Sequence, residues 1–496
     1  MEKLEGKKFS GMFSVSGERE IYGEVTFGGT NTSLYLQDEK SFTVIGNPDK
    51  CIHGVLNDLK KVSLINCIGP SEPGVVQGKN GGYHFVDIFP HYVVIGDQHF
   101  NPSDETISSI SFVVDDANTL FYDFDIFGHL SDSKKFIETL VAAHSLKIER
   151  EIEIGPNPEI FYYTGKQEIF STHTKIGTIS AKHNINSTWP SASGIALKNT
   201  IVVTISFDEP EDFDDAITHT LTVTRYLGLL VGRPQNLIAV YLQARLSGEP
   251  LQVYWSSRPR REGSEEGGRI HPAAVLLNPI QEPARFSQAL KEWINRQSQW
   301  EGARGRFFYS FEQQNRHGYD RIIGAANMFD VLPATAVPSD QPISDSVKAA
   351  KDQCEKSFKS LPDSPERNSI LTALGGIGKS NLTQKILHRA KPIIELTGAC
   401  FPQVDVVIAE AVKCRNYYVH GSDKPRFNYN ENFLVVAFLT NTLEFVFSAS
   451  DLIEAGWDIA AWSKRSSILA HPFSLYRFHY HDNLRDLLKL LPARLD

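Results

Sequence analysis

Three prolines set among small polar residues, in LPATAVPSDQPISD (332–345), split this chain into two parts whose apolar patterns demand different folds. Ahead of the split, short segments rich in Val, Ile, Phe and Tyr follow one another: KFSGMFSV, EVTFGG, TSLYLQD, SFTVIG, KVSLINCIG, YHFVDIF, HYVVIG and SISFVV. They alternate in part, and Gly, Asn or Asp often separates them, so the spacing predicts strands. A helix is predicted over 132–144. Further strands follow at EIFYYTG, GIAL, TIVVTISF, LIAVYLQA and LQVYWSS, with a helix over 214–230 between two of them. RPRREGSEEGG (258–268) reads as an exposed, charged loop. From 283 to 328 the spacing turns helical, with Phe286, Leu290, Trp293 and Ile294 at i, i+4, i+7 and i+8.

Beyond 345 almost everything is helical: 346–360, 364–374, 380–396, 402–418, 430–449, then shorter pieces. GG, PD and GSDKP mark several short connections. Four or five helices joined this way imply an antiparallel bundle. The expected fold class is α+β and multidomain. A β-rich N-terminal domain with some helices spans 1–331, with a subdomain break near 131–150 or 258–272. A linker covers 332–345, and an all-α bundle covers 346–496.

Composition narrows the functional classes. With 496 residues, 41% of them apolar and 22% charged, the chain can bury full cores and disorder is not the default. No run reaches the ~18 apolar residues of a membrane span, and MEKLEGKKFSG lacks the apolar stretch of a secretory signal. Cys51, Cys67, Cys354, Cys400 and Cys414 make no close CxxC pair, so a zinc ribbon or disulfide scaffold is not indicated and a reducing cytoplasm is the simplest setting. Residues 341–496 carry 19 Lys and Arg against 17 Asp and Glu, whereas 1–340 carry 31 against 42. A polyanion meets less repulsion at the C-terminal part, although two excess charges do not make a nucleic-acid patch.

The segment VDVVIAEAVKCRNYYVHG (404–421) carries the chemistry. Val404, Val407, Ile408, Ala411, Arg415 and Tyr418 share one helical stripe, which puts an arginine on an apolar face. A guanidinium cannot shed its proton, so it requires an anionic partner, either a carboxylate or a phosphate brought by a ligand. Five residues on stands His420, whose side chain titrates nearest neutral pH. Gly421 and the residues after it read as a helix stop. On an ideal helix the two side chains lie ~140° apart, which suits convergence across a dimer interface better than within one chain.

The run CRNYYVHG resembles the signature of the HEPN superfamily: Arg415, the polar Asn416, a short spacer and His420, within a helical bundle. The layout resembles the ApeA-like anti-phage defence branch, in which a β-rich N-terminal domain (here GMFSVSG, EVTFGG and SLYLQD at its start) precedes a HEPN domain. The resemblance implies a metal-independent endoribonuclease that needs no cofactor, with Arg415 and His420 as the catalytic pair and Asn416 in support. It implies an RNA substrate, a homodimer or larger assembly formed through the HEPN domain, no membrane, and a phage-derived trigger acting on the N-terminal domain. Attack of a 2′-OH on the adjacent phosphorus would leave 2′,3′-cyclic phosphate and 5′-OH ends. The alternatives are a catalytically silent dimerisation or RNA-binding module, and a ligand-binding β-rich protein with structural helices.

Other patterns weigh less. FLVVAFLTNTLEFVF (433–447) is apolar around most of its circumference, which fits the centre of a bundle or a dimer seam. GGIGKS (375–380) lacks the first glycine of a phosphate loop and follows a helix, so it reads as a turn capped by Ser380. His84, His91 and His99 fall on mixed strand faces, His479 and His481 could share one strand face, and the acidic run FDEPEDFDD (207–215) reads as helix capping.

Overall fold

In the computed structural model the described residues are 4–491, apart from 16–18, 43–50, 71, 79–80, 149–150, 189–190, 246, 258–269, 314–315, 340–342, 422–423 and 467. The charged loop at 258–268 and most of SFTVIG lie outside them. The chain divides into two units, Met1–Leu230 with Gln235–Ser287, and Val231–Pro234 with Gln288–Asp496. The division falls within one long helix, earlier in the chain than the proline-rich segment.

In the first unit, alternating strands build one antiparallel sheet, 13-stranded among the described residues. Strand Gly81–Gly96 organises it. Its first half pairs with Ser33–Asp38 and its second half with Lys61–Ile68. Between those partners run Arg19–Thr26, Lys8–Val15 and Ile52–Leu56, each paired with the next, so the circuit closes on itself. YHFVDIF and HYVVIG are therefore one strand. Pro90, which has no N–H to give a ladder, sits where the strand changes partners. The closed circuit is filled by the inward residue of each pleat, among them Phe13, Val25, Leu34, Leu36 and Val62, all fully buried. Glycine lets the wall close over the Phe13 ring. A Cβ at Gly54 would stand 2.5 Å from that ring.

The rest of the sheet runs outward through Leu251–Trp255, Leu237–Ala244, Ile107–Val114 and Leu197–Glu211 to the hairpin Gly177–Ser187 and Glu168–Thr174. TIVVTISF lies on the strand Leu197–Glu211, GIAL reaches that strand only with its last residue, Leu197, and the alternating pattern does not reveal the hairpin, because Thr, Ser, His and Asn dilute its apolar residues. Helices α1 (Ala117–Leu120), α2 (Lys134–Ile148) and α3 (Phe213–Val231) belong to this unit. Asp212 accepts from the N–H of Asp215 at 2.9 Å, so the acidic run does cap α3.

The second unit is helical: α4 (Pro283–Glu312, shared with the first), α5 (Tyr319–Asn327), α6 (Asp345–Lys359), α7 (Pro365–Gly376), α8 (Leu382–Thr397), α9 (Val404–His420), α10 (Phe433–Glu454), α11 (Ile459–Lys464) and α12 (Pro472–Leu490). The α+β class expected from the pattern is what the chain adopts. The centre is α10, buried almost continuously from Val435 to Leu452, while Phe433 and Leu434 at its start are exposed. By length and composition α10 could cross a membrane, yet most of it is buried inside the protein. Two details differ from expectation. RFHYHD lies on α12 rather than a strand, and α8 is capped by Asn381, which exchanges bonds with Gln384 in a capping box, rather than by Ser380.

The bundle also buries charge. Arg304 donates to both oxygens of Asp451, at 2.8 and 3.1 Å, and lies 3.6 Å from the centre of the Trp293 ring. Arg296 meets the same carboxylate at 2.7 Å, and Arg321 makes two 2.8 Å bonds to Glu444. Burial alone would raise the Asp451 carboxyl, but the surrounding arginines hold it below the usual range.

Candidate active site

Helix α9 forms on its apolar stripe. Val404, Val407, Ile408 and Ala411 are buried, and the stripe emerges toward its C-terminal end, where Arg415 and Tyr418 are half-buried. Gly421 ends the helix with φ at +62°, and its N–H donates to the Tyr417 carbonyl at 3.0 Å. That conformation is cheap only without a Cβ, so the glycine places His420 as the last helical residue.

The expected anionic partner for Arg415 is largely replaced by amides. Nη2 and Nε donate to Oδ1 of Asn327, the last residue of α5, at 2.7 and 3.3 Å, and Nη1 donates to Oδ1 of Asn416 at 3.1 Å. The carboxylate that approaches is Asp330, 3.9 Å away and 43% exposed, against 16% for the arginine side chain. A neutral acceptor fixes the direction of the guanidinium without cancelling its charge. Five N–H groups belong to an arginine, so donors are left for an incoming anion. The other oxygen of Asp330 lies 3.6 Å from Lys385 Nζ on α8.

His420 is exposed, and no hydrogen bond holds its ring among the described residues. Five helical steps, ~7.5 Å of rise and ~140° of rotation, separate it from Arg415. Asn416 sits beside the arginine, whereas His420 points elsewhere on the helix.

Aromatic rings surround this helix end. Tyr417 and Tyr418 are 5.2 Å apart, Tyr429 packs on both, and the exposed Tyr319 ring lies 5.9 Å from Tyr418. Beneath them Glu410 is buried and accepts from Tyr429 Oη at 2.7 Å. Burial, with that carboxylate next, pushes the Tyr429 phenol far up. Burial first and Glu410 second also push the Cys414 thiol up to about 12, so it is no thiolate nucleophile near neutral pH.

The other sequence candidates do not assemble. Among the described residues, no three or more His, Cys, Asp or Glu side chains are grouped to hold a metal ion, His84, His91 and His99 included. Asn327, Asp330 and Lys385 escaped the sequence reading because they come from α5, the turn after it and α8, and no local spacing connects them to the motif.

Comparison with known families agrees with this architecture. Residues 8–293 match ApeA N-terminal domain 1, and residues 323–460 match Apea-like HEPN. No curated protein and no solved structure matches the chain. The first match alone covers more than half of the sequence and the second contains Arg415, Asn416 and His420, so the chain belongs to the ApeA-like branch of the HEPN superfamily, a branch of anti-phage defence effectors.

Proposed function

We propose that this effector is a cytoplasmic endoribonuclease that cuts RNA without a metal ion, using Arg415 and His420, and that its N-terminal unit regulates the cut. The observation that carries the reading is the setting of Arg415: a half-buried guanidinium aimed by two amide oxygens, with its charge largely uncompensated. Such a cation stabilises a phosphorane as negative charge accumulates on its oxygens. In the reaction the 2′-oxygen forms a bond to the adjacent phosphorus while the bond to the 5′-oxygen breaks. One proton leaves the 2′-OH and one reaches the departing oxygen. An exposed imidazole suits either transfer near neutral pH. Because the two side chains diverge on one helix, the active form is a homodimer or larger assembly in which two α9 ends face each other.

The test is incubation of the full chain with RNA in EDTA, followed by end-group analysis. Cleavage leaving 2′,3′-cyclic phosphate and 5′-OH ends, lost in both Arg415→Ala and His420→Ala with the fold retained, supports the reading. Cleavage that persists in both variants overturns it. RNA binding without cleavage, even when a phage lysate supplies the trigger, would instead favour a silent binding module.

A further inference from the structure

The ribonuclease reading accounts for Arg415 and His420 but not for Lys385 and Asp330. One carboxylate, Asp330, stands between two cations, with Oδ2 at 3.9 Å from Arg415 and Oδ1 at 3.6 Å from Lys385. Both distances are longer than a charge-assisted hydrogen bond, which closes to ~2.7–2.9 Å. The carboxylate is therefore near both cations and firmly bound to neither. Exposure runs the same way. The Lys385 and Arg415 side chains are 20% and 16% exposed, while Asp330 is 43% exposed. The cations are built into the wall, and the anion lies on its open side. Asn327 holds Arg415 in this direction through a 2.7 Å bond, so the guanidinium does not depend on Asp330 for its orientation. Two positive charges face one negative charge, and the excess favours a second anion.

The geometry points to a two-cation phosphate site formed by Lys385 and Arg415, in which Asp330 is a resident placeholder that an RNA phosphodiester displaces. This rests on the ribonuclease reading and adds to it a substrate contact and a restraint. Lys385 grips the RNA backbone, and Asp330 opposes that grip until substrate arrives. A lysine serves here as a point charge and requires no fixed fork geometry.

The experiment measures binding of a single-stranded, fully 2′-O-methylated oligoribonucleotide to the full chain across a salt series. Such a probe has no free 2′-OH and is not cut, so binding is read apart from cleavage. Lys385→Ala should weaken binding about tenfold, as expected for losing one bond to a charged group, and should flatten the salt slope by about 0.7. Lys385→Arg should retain both values. Asp330→Asn should bind severalfold tighter, because it removes the competing charge with little change of shape. Unchanged binding and salt slope in Lys385→Ala, or weaker binding in Asp330→Asn, overturns the site. So does wild-type chain that does not bind the oligonucleotide, or inorganic phosphate that competes as well as the oligonucleotide at equal phosphate concentration. The ribonuclease reading fails on a separate result, ordinary RNA still cut by Arg415→Ala and His420→Ala.

Discussion

Arg304 and Arg415 lie in the same helical unit and answer the same physical demand in opposite ways. Arg304 is 1% exposed, held by both oxygens of Asp451, by the Trp293 carbonyl and by Gln297, and covered by the Trp293 ring. Four donated bonds hold it, two of them to a carboxylate that matches its charge. Arg415 meets amide oxygens at close range and a carboxylate only at 3.9 Å, in a place that solvent reaches. The first arrangement makes an arginine part of the core, where a buried charge survives only when paired. The second keeps a cation available, with full desolvation avoided and direction supplied by neutral partners. The difference teaches that the partner's charge, more than the depth of burial, separates a structural arginine from one that can serve a ligand.

The largest expected effect comes from exchanging the two truncations. Arg415→Ala should lower RNA cleavage by about 10²–10³-fold, the scale of one lost transition-state donor, and leave the urea midpoint nearly unchanged. Arg304→Ala should do the reverse and destabilise the second unit by about 3 kcal/mol in urea unfolding, because the buried Asp451 carboxylate loses two bonds from a charged donor and keeps Arg296 as a close cation. If the stability loss falls on Arg415→Ala instead, the comparison fails.

A smaller effect should appear on acidification. The Asp451 carboxyl is held below its ordinary value, so its contribution is complete above the unfolded carboxyl range, near pH 3.9, and is lost as pH falls through the lower folded value. The stability gap between wild type and Asp451→Asn should therefore be constant from pH 7 to about 5 and close only below about 4. A gap that closes above pH 5 would show that the arginines do not depress this carboxyl.

The smallest change is also the sharpest. Asn327→Asp, nearly isosteric, places a carboxylate 2.7 Å from Arg415 and so gives it the partner that Arg304 has. Cleavage should fall about tenfold or more while stability holds or rises by at most ~1 kcal/mol, as expected for a partly exposed pair. Undiminished cleavage would mean that charge compensation does not govern this site.

Much of this was legible along the chain because periodicity is local. KFSGMFSV is itself the strand Lys8–Val15, and the stripe through Val404, Val407 and Ile408 is the buried face of α9. Gly421 was readable as a helix stop because a left-handed residue is needed there whatever packs nearby. The hairpin at 168–187 was illegible because its polar residues carry little period-two contrast. The continuity of Gly81–Gly96 through Pro90 was hidden because it depends on a change of strand partners.

By itself, the amino-acid sequence determined the two folding regimes, the helix bearing Arg415, Asn416 and His420, and the glycine that stops that helix. Each of these follows from the side-chain period and from backbone preferences acting over a few residues. Only the tertiary structure decided what surrounds the guanidinium. Asn327 and Asp330 reach Arg415 from α5 and the turn after it, Lys385 reaches Asp330 from α8, and the charge of a partner brought in by packing leaves no trace in local spacing.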